Sequence, residues 1–301
     1  MEVIINPKQY QHNYIQYLNQ CFTGWGNIKN YEWTFDQDFD LRKADFFIIK
    51  DNDNVIAGSA LTYRRINVPN GKSYIHGTMT GSWTLPEARG KGCFSIMIQE
   101  SKHLINKHSY GFLTAYVTES NASFRRLEAA GSYLIPTNYI VCSLPEIKDI
   151  DTGFEIVEDE GIYEIIYKLR NEQVRNNVHY SYTYEQFVSQ FINRAEGKSK
   201  ILSSNGEYCI LSETDTTFRI LFSTSYQFIF LERLRVWAGC QNKNIFFFTT
   251  KIIEKIMNNE SYKIIPGYLT LLSDNEEYQR EMVEILKHNH FHIEYGDKMQ
   301  E

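Results

Sequence analysis

The stretch Thr84-Leu-Pro-Glu-Ala-Arg-Gly-Lys-Gly-Cys-Phe94 decides how this sequence is interpreted. Residues 77–83 before it have the Thr and Trp content of a strand end, and residues 94–105 after it place apolar side chains at helical spacing. We therefore predict a strand, a tight turn and the start of a helix. Such a turn directs backbone N–H groups and the positive end of the helix dipole toward one point, which suits an anion.

The side chains of the turn fit the same prediction. Gly90 and Gly92 remove Cβ atoms where a phosphate would approach the backbone, and Arg89 and Lys91 add positive charge. The alternative is an ordinary strand-to-helix turn whose basic residues are solvated. Two better-known phosphate loops are excluded, because a Walker A loop requires glycine in place of Leu85 and a dinucleotide fingerprint requires glycine at position 95.

Composition limits the class of protein. The chain has 301 residues, of which 43% are hydrophobic and 15% aromatic, as in a folded globular protein of one or two domains. Its formal net charge of −6 argues against a non-specific nucleic-acid binder. The five cysteines are scattered without a Cys-x-x-Cys pair, so we expect no disulfide framework, no metal site and a reducing cytoplasm. No apolar run is long enough to span a membrane.

The segments around the turn predict an ordered sequence of elements. We expect strands at 46–50, 55–64 and 73–84, then the turn and its helix, then a strand at 111–117. This strand–helix–strand crossover makes the last two strands parallel. Ser120 or Asn121 then caps a helix that Gly131 ends.

Taken together, these features resemble the GNAT N-acetyltransferases. Their coenzyme A pyrophosphate loop has the pattern Arg/Gln-x-x-Gly-x-Gly/Ala, of which Arg89 and Gly92 match the first two fixed positions. Phe94 departs from the last position, where a small residue is usual. In these enzymes, as at Asn121 here, an Asn-capped helix follows the second strand, and the resemblance covers residues 1–143.

The resemblance implies a fold and a division of the chain. The fold is α+β, a mixed and mostly antiparallel sheet with a parallel, splayed strand pair and flanking helices. We expect this domain at residues 1–145 and a second, degenerate GNAT-like α/β domain at 150–301; the alternative for the second half is an unrelated α/β domain. The boundary falls in the polar segment 143–153. In the second half we expect mainly helix at 163–194, a hairpin at 207–224, helices at 226–239 and 276–288, and strands at 245–250, 264–272 and 291–295.

The resemblance also implies a co-substrate, acetyl-CoA, and an amine of a small molecule as its acceptor. No metal, nucleic acid or membrane partner is expected. The donor would lie in the splay between the two parallel strands and bind a defined set of residues. These are Trp83, Thr84, Leu85, Arg89, Gly90, Lys91, Gly92, Cys93, Phe94 and Asn121.

The catalytic groups are where the sequence departs from the family. Many GNAT enzymes place a tyrosine acid at the position of Leu127 or Glu128, and neither is tyrosine. We take Glu119 and His76 as candidate bases and Tyr133 as a candidate acid, for which Tyr116 or Tyr139 could substitute. The alternatives are a solvated loop carboxylate, a core histidine and core or rim aromatics. The function implied is acetyl transfer to an amine by direct attack, and the alternative is a catalytically weak acyl-CoA sensor.

Overall fold

A computed structural model of the chain describes residues 1–22, 24–37, 42–108, 111–145, 152–250, 253–257 and 259–298. The helices are α1 (Gln11–Cys21), α2 (Ile28–Tyr31), α3 (Cys93–Lys107), α4 (Ala122–Ala129), α5 (Ile162–Val174), α6 (Tyr184–Phe187), α7 (Phe228–Gly239), α8 (Glu254–Met257) and α9 (Glu276–His288). The strands are β1 (Glu2–Ile5), β2 (Asp45–Asp51), β3 (Asn54–Asn67), β4 (Ser73–Thr84), β5 (Phe112–Thr118), β6 (Tyr133–Cys142), β7 (Glu155–Ile156), β8 (Val178–Ser181), β9 (Asn193–Arg194), β10 (Gly197–Lys198), β11 (Lys200–Ser204), β12 (Glu207–Glu213), β13 (Thr217–Ser223), β14 (Asn244–Thr249), β15 (Tyr262–Leu272) and β16 (Phe291–His292).

One mixed sheet joins both halves of the chain. Within the described ranges it has fourteen strands, in the order β1-β2-β3-β4-β5-β15-β6-β14-β13-β12-β11-β7, with β8 beside β3 and β16 beside β8. Most neighbours are antiparallel, whereas three pairs run parallel: β4 with β5, β13 with β14, and β8 with β16. The predicted parallel pairing of the strands on either side of α3 is therefore confirmed.

Strand β15 of the second half lies inside the sheet of the first half. It pairs antiparallel with β5 on one side and β6 on the other, and β6 pairs in turn with β14. The two halves thus share an uninterrupted backbone ladder. The boundary expected at 143–153 stays a prediction, and its residues 146–151 lie outside the described residues.

Helices cover both faces of the sheet beside β4. Helix α1 packs on one face, where Tyr14 and Leu18 join a core with Trp83. Helix α3 packs on the other, where Met97 and Leu104 lie among the side chains of β3 and β5. Apolar spacing along α3 matches its buried stripe, so this helix begins and packs as the sequence predicts.

The second half departs from the prediction in two places: the strand expected at 291–295 forms only at Phe291–His292, and a strand interrupts a segment expected to be mainly helical. Residues 163–194, expected to be mainly helical, are interrupted by β8. Val178 and Tyr180 are buried while the residues between and after them are partly exposed, which is the two-residue period of a strand. This short strand pairs with the end of β3 and so belongs to the shared sheet.

Candidate active site

The turn before α3 has the geometry of an anion site. Gly90 and Gly92 have φ of +83° and +84°, a left-handed conformation that favours glycine. Within the turn, the N–H groups of Arg89 and Lys91 donate backbone hydrogen bonds. No backbone carbonyl of the described residues accepts a hydrogen bond from the N–H of Gly90, Gly92 or Phe94. The first turn of α3 adds its dipole, so the turn fits a pyrophosphate.

Strands β4 and β5 separate before β4 reaches this turn. Their parallel pairing covers only three positions and ends at Thr78 and Thr114. The two hydroxyls lie 2.9 Å apart, and Thr114 Oγ1 is also 3.0 Å from Nδ1 of His76. Beyond this point no described strand pairs with the backbone groups that face the gap, which leaves them available to a ligand.

A bulge in β4 shapes the gap, and it is a feature that the sequence analysis missed. The register with β3 shifts between Gly58 and Ala60, opposite Gly81 and Ser82. Gly81 has a φ of +57°, and its carbonyl accepts a hydrogen bond of 3.4 Å from Tyr14. A glycine inside an otherwise regular strand is the signal that could have identified the bulge.

The turn and the gap form one cleft of about 870 Å³. Its wall includes the glycine turn, the ends of β4 and β5, the start of α4, and side chains from the second half. Its lining includes Thr78, Met79, Gly81, Ser82, Thr84, Arg89, Gly90, Gly92, Cys93, Phe94, Tyr116, Asn121, Tyr139 and Lys298.

The predicted coenzyme residues divide into two groups. Seven of them line the cleft, namely Thr84, Arg89, Gly90, Gly92, Cys93, Phe94 and Asn121. The other three lie outside its lining. Trp83 is buried and pairs with Gly58, Leu85 is buried and donates its N–H to Ile56, and the Lys91 ammonium lies 3.1 Å from Asp51 Oδ2.

Cys93 contributes packing to the cleft. Its side chain is 2% exposed and belongs to the core beneath α3. Burial raises the pKa of the Cys93 thiol despite its place at a helix N-terminus. The thiol is therefore protonated at neutral pH, which is unfavourable for a nucleophile.

None of the three predicted catalytic residues lines the cleft. His76 is fully buried; burial, aided by the charge of Arg64, lowers its pKa to about 3, so it is neutral at physiological pH. Glu119 is exposed beyond the end of β5, where its carboxylate accepts a 2.8 Å hydrogen bond from Tyr268. Tyr133 lines a different cavity of about 380 Å³.

Three further polar side chains lie in the cleft: Tyr116 and Tyr139, which the sequence offers as alternative acids, and Lys298, which it does not single out. Tyr116 lies on β5 and donates a hydrogen bond of 2.9 Å to the hydroxyl of Tyr180. Tyr139 lies on β6 and accepts a hydrogen bond of 3.2 Å from the Lys298 ammonium. Lys298 follows the last short helical turn of the described chain. Tertiary structure alone brings it to the cleft, so no local sequence signal could have identified it.

Two features are absent from the described residues. Those residues contain no cluster of three or more His, Cys, Asp or Glu side chains that could hold a metal ion. Nor do they include a helix with the length and apolar character needed to cross a membrane.

Comparisons with known proteins agree with this geometry. A family model described as an acetyltransferase (GNAT) domain matches residues 7–126. A search of the curated proteins found no match. Among solved structures, a GCN5-related N-acetyltransferase from Anabaena variabilis superposes with a TM-score of 0.62 at 14% identity, covering 90% of this chain and 72% of that one.

Two other solved structures are similar over the same extent. A probable N-acyltransferase from Enterococcus faecalis has a TM-score of 0.61 and 14% identity, covering 90% of this chain and 71% of that one. A tandem GNAT protein from the clavulanic acid biosynthesis pathway has a TM-score of 0.61 and 11% identity, covering 90% of this chain and 98% of its own. The glycine turn, the parting strands and the matched family model lead to one conclusion: residues 7–126 form a GNAT acetyltransferase domain, and the chain as a whole has the fold of tandem GNAT proteins.

Proposed function

We propose that the protein transfers an acetyl group from acetyl-CoA to a primary amine of a small molecule by direct attack. The observation that carries this proposal is the single cleft of about 870 Å³ that runs from the glycine turn, along the gap between β4 and β5, to Tyr139 and Lys298. A cleft with an anion site at one end and polar side chains at the other suits a phosphate-bearing donor and a separate acceptor.

The turn would hold the donor by its pyrophosphate. The N–H groups of Gly90, Gly92 and Phe94 are available, and the guanidinium of Arg89 lines the same cleft. Each charge-assisted hydrogen bond contributes roughly 1.5–3 kcal/mol. Several that converge on one anion support micromolar affinity after the costs of ordering.

The gap would hold the thioester. Beyond Thr78, the β4 backbone from Met79 to Ser82 lines the cleft, and no strand of the described residues pairs with it on that side. An N–H aimed at the thioester oxygen would stabilise the negative charge that develops there. A protonated, buried Cys93 supports direct transfer over a covalent intermediate.

Tyr139 is our candidate for the acid that protonates the leaving thiolate. Its oxygen accepts a hydrogen bond from Lys298, so its own proton is free to point into the cleft. The proton of Tyr116, in contrast, is used in the bond to Tyr180. Glu119 remains our candidate base, acting through water, because it follows Thr118 at the edge of the cleft.

A cytoplasmic location is part of the proposal. All five cysteines lie within the described residues and none forms a disulfide, which agrees with a reducing compartment.

A second candidate function is an acyl-CoA sensor with little or no turnover. It is favoured by the absence of tyrosine at Leu127 and Glu128, the two positions where the resemblance places the usual acid; Leu127 is buried in the core beneath α3. A sensor requires only the glycine turn and the gap. It makes no use of Tyr139 as an acid.

One experiment tests both candidates. The release of free thiol from acetyl-CoA is followed against a panel of primary amines, alongside the thermal stability of the protein with and without acetyl-CoA. Amine-dependent thiol release is the result we expect. Stabilisation by acetyl-CoA with no turnover on any amine would favour the sensor, and no effect of acetyl-CoA in either assay would exclude both.

A further inference from the structure

A cage of aromatic rings surrounds the ammonium of Lys298. The Lys298 Nζ lies 4.6 Å from the ring centre of Tyr139, 5.3 Å from Tyr295, 5.4 Å from Tyr116 and 5.7 Å from Phe248. All four distances are within the range at which a ring face attracts a cation. We call these four rings the aromatic cage.

The aromatic cage is built from both halves and is held rigidly. Phe248 packs edge-on against Tyr139 at 5.0 Å and against Tyr116 at 5.8 Å. Tyr116 and Tyr139 also line the cleft, so one side of the cage opens toward the gap. A ligand in the cleft can therefore reach the place that the Lys298 ammonium now occupies.

The backbone of Lys298 is fixed independently of its side chain. Its N–H donates to the carbonyl of Tyr295, and its own carbonyl accepts a 3.1 Å hydrogen bond from Gln190. Rotation of the side chain alone would therefore empty the cage without loss of the surrounding fold.

We propose that the aromatic cage is a binding site for an alkylammonium group of the acceptor, and that Lys298 fills it until the acceptor binds. The inference rests on the proposed function. Ring faces stabilise a charged ammonium, whereas the attacking amine must be neutral. The cage therefore holds a second cation that does not react. The acceptor class is a molecule with an alkylammonium group in addition to the primary amine that is acetylated.

The direct test uses tetramethylammonium, a cation that fits such a cage and cannot be acetylated. Its binding is measured by ligand-observed NMR without acetyl-CoA, for the wild type and for Lys298→Ala. The Lys298 ammonium belongs to the same chain and therefore competes for the cage at a high effective concentration. Its removal should increase the affinity for tetramethylammonium about tenfold or more. An equal or lower affinity in a folded Lys298→Ala protein would overturn the proposal.

A matched pair of variants separates the contribution of the Tyr116 ring to cation binding from that of its hydroxyl. Both substitutions are made in the Lys298→Ala protein. Tyr116→Phe keeps a ring face and should retain the increased affinity for tetramethylammonium, whereas Tyr116→Leu should lower that affinity about fivefold or more. Thermal unfolding of each variant reports whether it is folded. Equal binding by the folded Phe and Leu variants would contradict the cage.

The same site predicts a preference among acceptors. In the thiol-release assay, 1,4-diaminobutane should have a KM about tenfold below that of butylamine, and Tyr116→Leu should abolish the difference. Thiol release together with an absence of cation binding would refute the cage and leave the proposed function intact. Cation binding without thiol release on any amine would refute the proposed function and leave the cage as a cation site.

Discussion

The hydroxyls of Thr78 and Thr114 lie 2.9 Å apart at the last paired position of β4 and β5. Thr114 Oγ1 also lies 3.0 Å from Nδ1 of His76, and all three side chains are buried. This hydrogen-bonded cluster fixes the point at which the two strands separate, so the mouth of the cleft depends on it.

Thr114→Val keeps the shape of the side chain but leaves polar atoms of His76 and Thr78 buried and unpaired. We expect a loss of about 1–3 kcal/mol in the free energy of unfolding. Urea denaturation measures it. Thr118→Val, at the less buried end of the same strand, is the control and should change stability by less than about 0.5 kcal/mol. Equal effects of the two substitutions would contradict a special role for the cluster.

Stability should depend on pH through His76. Its pKa falls from 6.5 in the unfolded chain to about 3 in the fold, chiefly through burial. Below pH 6.5 the unfolded state therefore binds a proton that the native state does not, and stability falls as the pH is lowered toward 3. From pH 6 to pH 5 this one group should remove about 1 kcal/mol.

The control for this prediction is the His76→Gln variant, whose unfolding free energy is measured over the same pH range as that of the wild type. Burial also lowers the pKa of His108 and of His179, so the wild type has other sources of acid sensitivity. The difference in slope between wild type and variant isolates His76. Parallel curves of unfolding free energy against pH would show that His76 is protonated equally in both states.

Tyr139→Phe should lower kcat while acetyl-CoA affinity is retained. Loss of an acid costs about 100-fold where proton transfer limits the rate, and less here because a thiolate leaves readily. The control is Tyr133→Phe on the same strand, whose ring lines a different cavity. Steady-state thiol release measures both. A larger defect in Tyr133→Phe than in Tyr139→Phe would restore Tyr133 as the catalytic candidate.

A chain of residues 1–145 should not fold by itself. It lacks β15, which lies between β5 and β6 and pairs with both. Their exposed edges would favour aggregation. Co-expression with residues 146–301 supplies the missing strand and should restore a soluble complex. A monomeric, cooperatively unfolding protein of residues 1–145 would contradict this expectation.

Sequence reasoning succeeded where the determinants are local. The turn at Gly90 and Gly92, the start of α3 and the Asn121 cap of α4 each depend on a few neighbouring residues, and each forms as predicted. The parallel pairing of β4 with β5 follows from the handedness of a crossover and was also predicted correctly.

The features that the sequence did not reveal are non-local. Insertion of β15 between β5 and β6 depends on pairing between distant segments. Lys298 reaches the cleft only because the end of the described chain packs against Gln190, and the burial of His76 depends on layers above and below the sheet. Residue type and spacing predict none of these arrangements, since each is set by tertiary packing.

The most direct test of the central claim is calorimetric binding of acetyl-CoA to the wild type and three variants. Gly92→Ala places a side chain at a φ of +84°, a strain of about 1–3 kcal/mol, and Gly92→Glu adds a charge that repels the pyrophosphate. Lys91→Met should alter affinity by less than about threefold, because that ammonium pairs with Asp51 at the surface. We predict micromolar binding by the wild type and a loss of about 100-fold or more in Gly92→Glu. Absence of binding by the wild type, or equal affinity in a folded Gly92→Glu protein, would contradict the assignment of this cleft to acetyl-CoA.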